Sequence, residues 1–262
     1  MFGNAEAYER FMGRWSRELA PMLVDFAGVP DGARVLDIGS GTGALARAIA
    51  ERKAKCQVVG IDPSSEYVTY AAAQNKTGGR VQFQVGDAQQ MRFPNAAFEA
   101  SVSLLVFNFI PDPMKALGEV SRVTKLGGIV SAAVWDYGAG MRMLRVFWDA
   151  AGAVDPASAK ADESHMPLCR AGELGRLWRQ GGLEQVAERP LEFTMRFASF
   201  ADCWEPFLLG QGPAGAYVKT LPGARLAAIR SEVKRRLSLR SEALPFLLPA
   251  RAWAVRGRVA RA

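Results

Sequence analysis

Histidine occurs once and cysteine three times in 262 residues, with no C-x-x-C pair among the cysteines. A zinc site or a disulfide framework is thereby excluded as the organising device, so no metal is expected, and Cys56, Cys169 and Cys203 read as reduced, buried thiols. No stretch nears the roughly 18 uninterrupted apolar residues needed to cross a bilayer. Residues 1–10 lack the basic stretch and apolar block of a signal peptide, so the expected location is cytoplasmic, without a membrane partner. Internal repeats and low-complexity tracts are absent too.

What is present describes an ordinary globular chain, 49% hydrophobic and 23% charged, long enough for one large domain with insertions. The formal charge of +7 raises the question of nucleic acid, but its distribution argues against that partner. Residues 219–262 hold 11 Lys/Arg against 2 Asp/Glu, which leaves 22 against 24 in the rest. Within that basic segment, Arg225, Arg230, Lys234, Arg235, Arg236 and Arg240 oppose a stripe of Leu226, Ile229, Val233 and Leu237, the pattern of a solvated helix face. Nothing in the sequence marks an oligomer interface.

The most informative stretch is Arg34-Val-Leu-Asp-Ile-Gly-Ser-Gly-Thr-Gly43, an apolar strand running into a glycine turn with a carboxylate, Asp37, just before it. Gly39, Gly41 and Gly43 permit backbone angles closed to other residues and let a ligand approach the main chain, and a helix opening near Gly43 would aim its free N–H groups at the same crevice. Gly39, Gly41 and Ala44 also satisfy the loose dinucleotide pattern, with Asp62 near the ribose-binding distance. Asp37 separates the readings, since a carboxylate there repels a pyrophosphate and suits a ligand carrying an ammonium.

With these residues the chain resembles the class I S-adenosylmethionine-dependent methyltransferases. The resemblance runs in order through Val58-Val-Gly-Ile-Asp62-Pro-Ser, Val85-Gly-Asp87-Ala, Ala97-Phe-Glu-Ala-Ser-Val-Ser-Leu-Leu-Val106 and Glu119-Val-Ser-Arg-Val-Thr-Lys-Leu-Gly-Gly-Ile-Val130, covering about residues 33–136. It implies S-adenosyl-L-methionine as cofactor, with the loop Gly39, Ser40, Gly41 and Gly43 cradling the methionyl end, Asp37 receiving its ammonium, and Asp62, beside Pro63, taking the ribose diol. Asp87 would accept from the adenine amino group, with Ala88 and Gln89 on the adenine edge and Leu105 also against the cofactor. A segment before the first strand, with Tyr8, Arg14 and Trp15, would close over it.

Alternating patterns place strands near 33–38, 57–61, 81–85, 98–106 and 128–135 and helices at 43–53, 64–75 and 113–124. Beyond 136 the pattern loosens into a helix at 141–151, a polar loop around 155–165, a helix at 172–180, one or two strands over 183–197, the basic helix, and a last strand near 252–256. The expected fold is α/β, a Rossmann-like doubly wound sheet of seven strands, mostly parallel with the last antiparallel. One domain fills 1–262: a helical lid at 1–32, a cofactor core at 33–136, and a helical cap in 137–182 and 198–249.

Methyl transfer from a sulfonium needs alignment and exclusion of water, and a general base only for some acceptors. Asp136 and Tyr137, after the fifth strand, are the best-placed titratable groups, and His165 is an outside candidate. Phe107-Asn108-Phe109 replaces the Asn/Asp-Pro-Pro-Tyr/Phe signature of amide and base methylation, and no Pro-Cys nucleophile occurs there. Phe107, Asn108 and Phe109 suit a small, partly hydrophobic acceptor, with Trp148, Trp178, Trp204, Phe207 and Tyr217 as candidate walls and the turn Gly210-Gln-Gly-Pro-Ala-Gly215 as a flexible rim. The rival functions are an NAD(P)-linked oxidoreductase, a non-catalytic binding scaffold, and methylation of RNA or protein.

Overall fold

The computed structural model describes residues 4–260. The outermost residues of the expected 1–262 domain, 1–3 and 261–262, lie outside the described residues. Strands β1 (Arg34–Ile38), β2 (Gln57–Asp62), β3 (Val81–Val85), β4 (Phe98–Leu104), β5 (Thr124–Trp135), β6 (Glu184–Phe197) and β7 (Phe246–Arg258) form one sheet in the order β3-β2-β1-β4-β5-β7-β6. The first five pair in parallel, and β7 runs antiparallel between β5 and β6. The chain thus reverses its winding at β1, whose neighbours are β2 and β4, and the crevice beyond that switch point is where such sheets bind ligands.

Helices α1 (Ala5–Tyr8), α2 (Arg14–Ala27), α3 (Ala44–Arg52), α4 (Ser65–Ala73), α5 (Pro113–Val123), α6 (Arg142–Val154), α7 (Glu173–Gln180), α8 (Phe200–Trp204), α9 (Gly212–Lys219) and α10 (Gly223–Leu237) cover the sheet. Local chemistry sets their starts. Ser64 caps α4 by accepting from Tyr67 N at 3.3 Å, and Asp112 caps α5 by accepting from Lys115 N at 2.9 Å, with Pro113 in the first turn. Trp15, Leu19, Leu23 and Val24 of α2 are buried in the core that also holds Val35, Leu36 and Ile38 of β1. None of the described helices is long and apolar enough to cross a membrane.

Several boundaries differ from those read off the sequence. Strand β4 ends at Leu104 because Leu105 turns into the left-handed region with φ +65°. Strand β5 begins at Thr124, with a register shift against β4 between Phe98 and Ala100, and residues 184–197 form one long strand. The supposed rim at 210–215 is packed backbone: Gly212 and Pro213 open α9, and a Cβ on Gly215 would lie 2.6 Å from the carbonyl carbon of Gly210.

The cap aromatics fill its interior and do not border the cavity described below. Phe147 stacks on Phe207 at 4.6 Å, Trp178 donates to the Val130 carbonyl at 3.1 Å, Trp148 donates to Glu163 at 2.8 Å, and Tyr217 donates to Asp155 at 2.9 Å. Trp204, likewise buried, lies 6.1 Å from Phe207. Helix α10 buries Ile229 and Val233, while Arg235 and Arg236 pair with Glu232, Arg230 and Lys234 with Glu242, and Arg225 with Asp155. All three cysteines are free and buried, and His165 is exposed.

Candidate active site

A cavity of about 470 Å³ opens at the carboxyl ends of β1 to β5. Its floor is the turn between β1 and α3, fastened by main-chain bonds from Ser40 N to Ile61 O (2.9 Å) and from Gly43 N to Ser40 O (2.8 Å). Gly39 (φ +66°) has no room for a side chain, since a Cβ would sit 2.4 Å from Val106, whereas Gly41 (φ +50°) meets nothing within 4 Å. Bare backbone therefore faces the cavity at Gly41. Gly43 (φ +88°) does not border it; its missing Cβ accommodates Phe83 and Arg47, which corrects its expected contact with a ligand.

Asp62 closes β2 and ties two loops together, one oxygen accepting from Gly41 N and the other from Ser64 N, both at 2.9 Å. Each carboxylate oxygen keeps further acceptor capacity. Burial raises its pKa above the usual carboxylate range against the pull of those two N–H groups.

Asp37 is fully buried on the wall of the same cavity, and neither of its oxygens has a partner in hydrogen-bonding geometry. Burial pushes its carboxyl up to about 7, with the nearby Ala46 N–H drawing it down somewhat and Asp62 raising it further. Ser40 Oγ and Tyr67 Oη also line the cavity as buried groups without partners. Orphaned buried polar groups on a cavity wall mark places where a ligand completes the bonding.

On the rim, Asp87 is exposed and accepts from Gln89 N at 2.8 Å, and Gln89 in turn accepts from Asp112 N at 3.1 Å. Pro63, Ala88 and Leu105 border the cavity with them. Leu105 holds its strained conformation with a 2.7 Å bond from its N–H to the Ala133 carbonyl.

The N-terminal segment reaches over the mouth. Tyr8, Met12 and Ser16 all line the cavity, Tyr8 and Ser16 sharing a 3.1 Å hydrogen bond and Tyr8 lying 5.6 Å from the Tyr67 ring. Arg14 does not join them. Its guanidinium donates to Asp202 Oδ1 at 2.7 Å and to the Asp202 carbonyl at 3.1 Å, over the rings of Trp15 and Phe197, so it fastens the segment to the cap instead of touching a ligand. Trp15 is buried against Phe197.

Of the residues expected to do acid–base work, only Tyr137 borders the cavity. It is buried, and burial carries its hydroxyl well above the ordinary tyrosine value, with the Asn108 side chain beside it. Asn108 is itself buried behind the wall, its Nδ2 unpartnered. Asp136 turns the other way, accepting from Arg251 Nε at 2.8 Å and from Ala139 N at 3.0 Å. A carboxylate engaged by a guanidinium outside the cavity is not its general base. Among the described residues no cluster of histidine, cysteine and carboxylate side chains could hold a metal ion.

The sequence reading missed Met12, Ser16, Tyr67 and Trp135. The first two were legible as the 8, 12, 16 spacing on one helical face, and Tyr67 as one turn beyond Asp62; Trp135 carried no signal beyond its strand end.

Residues 36–132 match the family model described as a methyltransferase domain. The chain is 36% identical over 116 residues to demethylmenaquinone methyltransferase of Thermus thermophilus, covering 44% of this chain and 51% of that one. It is 30% identical over 137 residues to sterol 24-C-methyltransferase of Aspergillus fumigatus, covering 51% and 35%. The chain thus spans about half the length, or less, of the curated relatives it matches. In fold it is similar to the YcgJ protein of Bacillus subtilis, with a TM-score of 0.60 at 19% identity over 94% of this chain and 99% of that one.

Proposed function

We propose that this chain, whose residues 36–132 match a methyltransferase-domain model, transfers a methyl group from S-adenosyl-L-methionine to a small, partly hydrophobic acceptor in the cavity above β1 to β5. The observation that carries this reading is Asp37: a buried carboxylate with both oxygens unpartnered on a cavity wall, beside bare backbone at Gly41. Such a group is incomplete without a cationic partner, and an ammonium supplies one through charge-assisted hydrogen bonds.

Asp62 then accepts from the ribose diol with its remaining lone pairs. Asp87, with Ala88 and Gln89, meets the adenine edge, and Pro63 and Leu105 give apolar walls. When bound, the donor supplies a methyl group already activated by the positive charge on sulfur. The chain's own part is to bind it at both ends, exclude water beneath Tyr8 and Met12, and align the acceptor.

The basic face of α10 is paired with Glu232 of the same helix and Glu242 beyond it, which favours a small molecule over nucleic acid. The free cysteines suit a cytoplasmic setting. Calorimetry is expected to show saturable binding of S-adenosylhomocysteine and none of NADH. Nicotinamide binding without a response to the sulfur ligand overturns the assignment.

A further inference from the structure

We propose that the acceptor is a lipophilic amine, taken as its free base among Tyr8, Tyr67, Phe109, Trp135 and Tyr137 and methylated on nitrogen. This rests on the methyl-donor reading above and adds the acceptor's chemical class. Tyr67 and Phe109 lie within residues 36–132, and Tyr8, Trp135 and Tyr137 outside them.

Among the described residues, five aromatic side chains border the cavity. Tyr67 adds a buried hydroxyl with no partner in the chain, a group that asks for a ligand atom. The charged groups facing the space are Asp37 at the end of β1, Asp62 at the end of β2 and Asp87 after β3, and no Lys, Arg or His is among the described lining residues. An anionic acceptor, whether carboxylate or phosphate, would enter against carboxylates with no cation to offset it.

A second filter is the proton. Methylation of a phenol or alcohol needs the hydroxyl proton removed, and methylation of an alkene leaves a carbocation that must lose one. The acceptor side offers no group for this: Asp136 is held by Arg251 outside the cavity, Asp37 and Asp62 grip the donor, Asp87 on the rim meets its adenine edge, and burial keeps the tyrosine hydroxyls protonated.

A free-base amine needs no base. Its nitrogen lone pair forms the new N–C bond while the carbon–sulfur bond breaks, that electron pair stays on sulfur, and the positive charge passes to nitrogen. A tertiary amine leaves as the quaternary ammonium, and a primary or secondary one gives up its extra proton to water after release. Aromatic faces stabilise a cation forming among them.

The test compares benzyltrimethylammonium with its uncharged carbon isostere, neopentylbenzene, titrated into protein saturated with S-adenosylhomocysteine. The cation is expected to bind about tenfold tighter. Tyr137→Leu is expected to erase that preference and Tyr137→Phe to keep it, with Tyr8→Leu as the second variant should Tyr137→Leu fail to fold. Equal binding, or tighter binding of the isostere, overturns the proposal.

In turnover with S-adenosylmethionine, N,N-dimethylbenzylamine is expected to be methylated at a rate that follows its free-base fraction. Preferential methylation of a matched phenol, alkene or carboxylate overturns it equally. If S-adenosylhomocysteine does not bind at all, the donor reading is what falls, and that result appears before either amine is added.

Discussion

The acids on the cavity wall and the acids of the cap are treated in opposite ways by the fold. In the cap and where it meets the sheet, Asp162 is gripped by both arms of Arg145 at 2.6 and 3.0 Å, Asp136 by Arg251, Asp202 by Arg14 and Asp155 by Tyr217 and Arg225. On the wall, Asp37 has no partner and Asp62 has only main-chain N–H groups. Cap carboxylates serve the folded state by completing bonds within the chain. The wall keeps its bonding capacity open, so it weakens the empty protein and favours whatever fills the space.

That contrast can be broken most sharply at Asp37. With an ordinary carboxyl pKa of 3.8 raised to about 7, the folded chain holds a proton between those values that the unfolded chain has released. Stability of the empty protein therefore falls as pH rises from about 4 to 7 and stays at the lower level above. Asp37→Asn removes this liability. Its stability, read in urea unfolding, is expected to exceed that of the native protein at pH 8, by a margin that shrinks towards pH 4, with a ceiling of roughly 4 kcal/mol. Affinity should move the other way: native affinity for S-adenosylhomocysteine is expected to drop by up to about tenfold per pH unit below 7, and Asp37→Asn to bind weakly with no such slope. If the Asp37→Asn variant proved less stable than the native protein at pH 8, the idea that burial strains this group would be sunk.

Next in size, Asp62→Ala is expected to weaken S-adenosylhomocysteine binding by roughly 1–3 kcal/mol, read by calorimetry, and an unchanged dissociation constant removes it from the ribose role. On the cap side the signature should invert. Arg251→Ala leaves Asp136 buried without its cation, and the expected loss is about 1–2 kcal/mol of stability in urea unfolding, discounted for the partial exposure of the arginine. Cofactor affinity should stay unchanged; an altered affinity with unaltered stability would mean that Asp136 belongs to the wall after all. The smallest effect is expected at Glu232, whose carboxyl two partly exposed arginines hold down at about 2. Glu232→Gln should leave the urea midpoint where it is.

The same division explains what could be read from the sequence. Asp37, Gly39, Gly41, Asp62 and Asp87 stand at strand ends, where an apolar run stops and a turn begins, so their convergence follows from the parallel sheet itself. Arg14 and Asp136 could not be placed that way, because each is redirected by a partner far along the chain, Asp202 at 188 residues and Arg251 at 115. The strand and helix pattern up to residue 136 was legible within a few residues. The cap was less so: its aromatic residues carry no periodicity that separates lining a cavity from filling an interior, and the 3.1 Å bond from Trp178 to the Val130 carbonyl has no counterpart in local composition.

Between α1 and α2 the chain makes one wide π-helical turn, Glu9–Gly13, and a Cβ on Gly13 would fall 2.6 Å from the Glu9 carboxyl group. A π-turn carries one residue more than an α-turn, and each residue advances a helix by about 100°. The extra residue thus sets the angle at which Tyr8 reaches the mouth beside Met12 and Ser16. A side chain at Gly13 would have to displace the far end of Glu9, which pairs with Arg17, so the wide turn and that ion pair together hold the segment over the mouth.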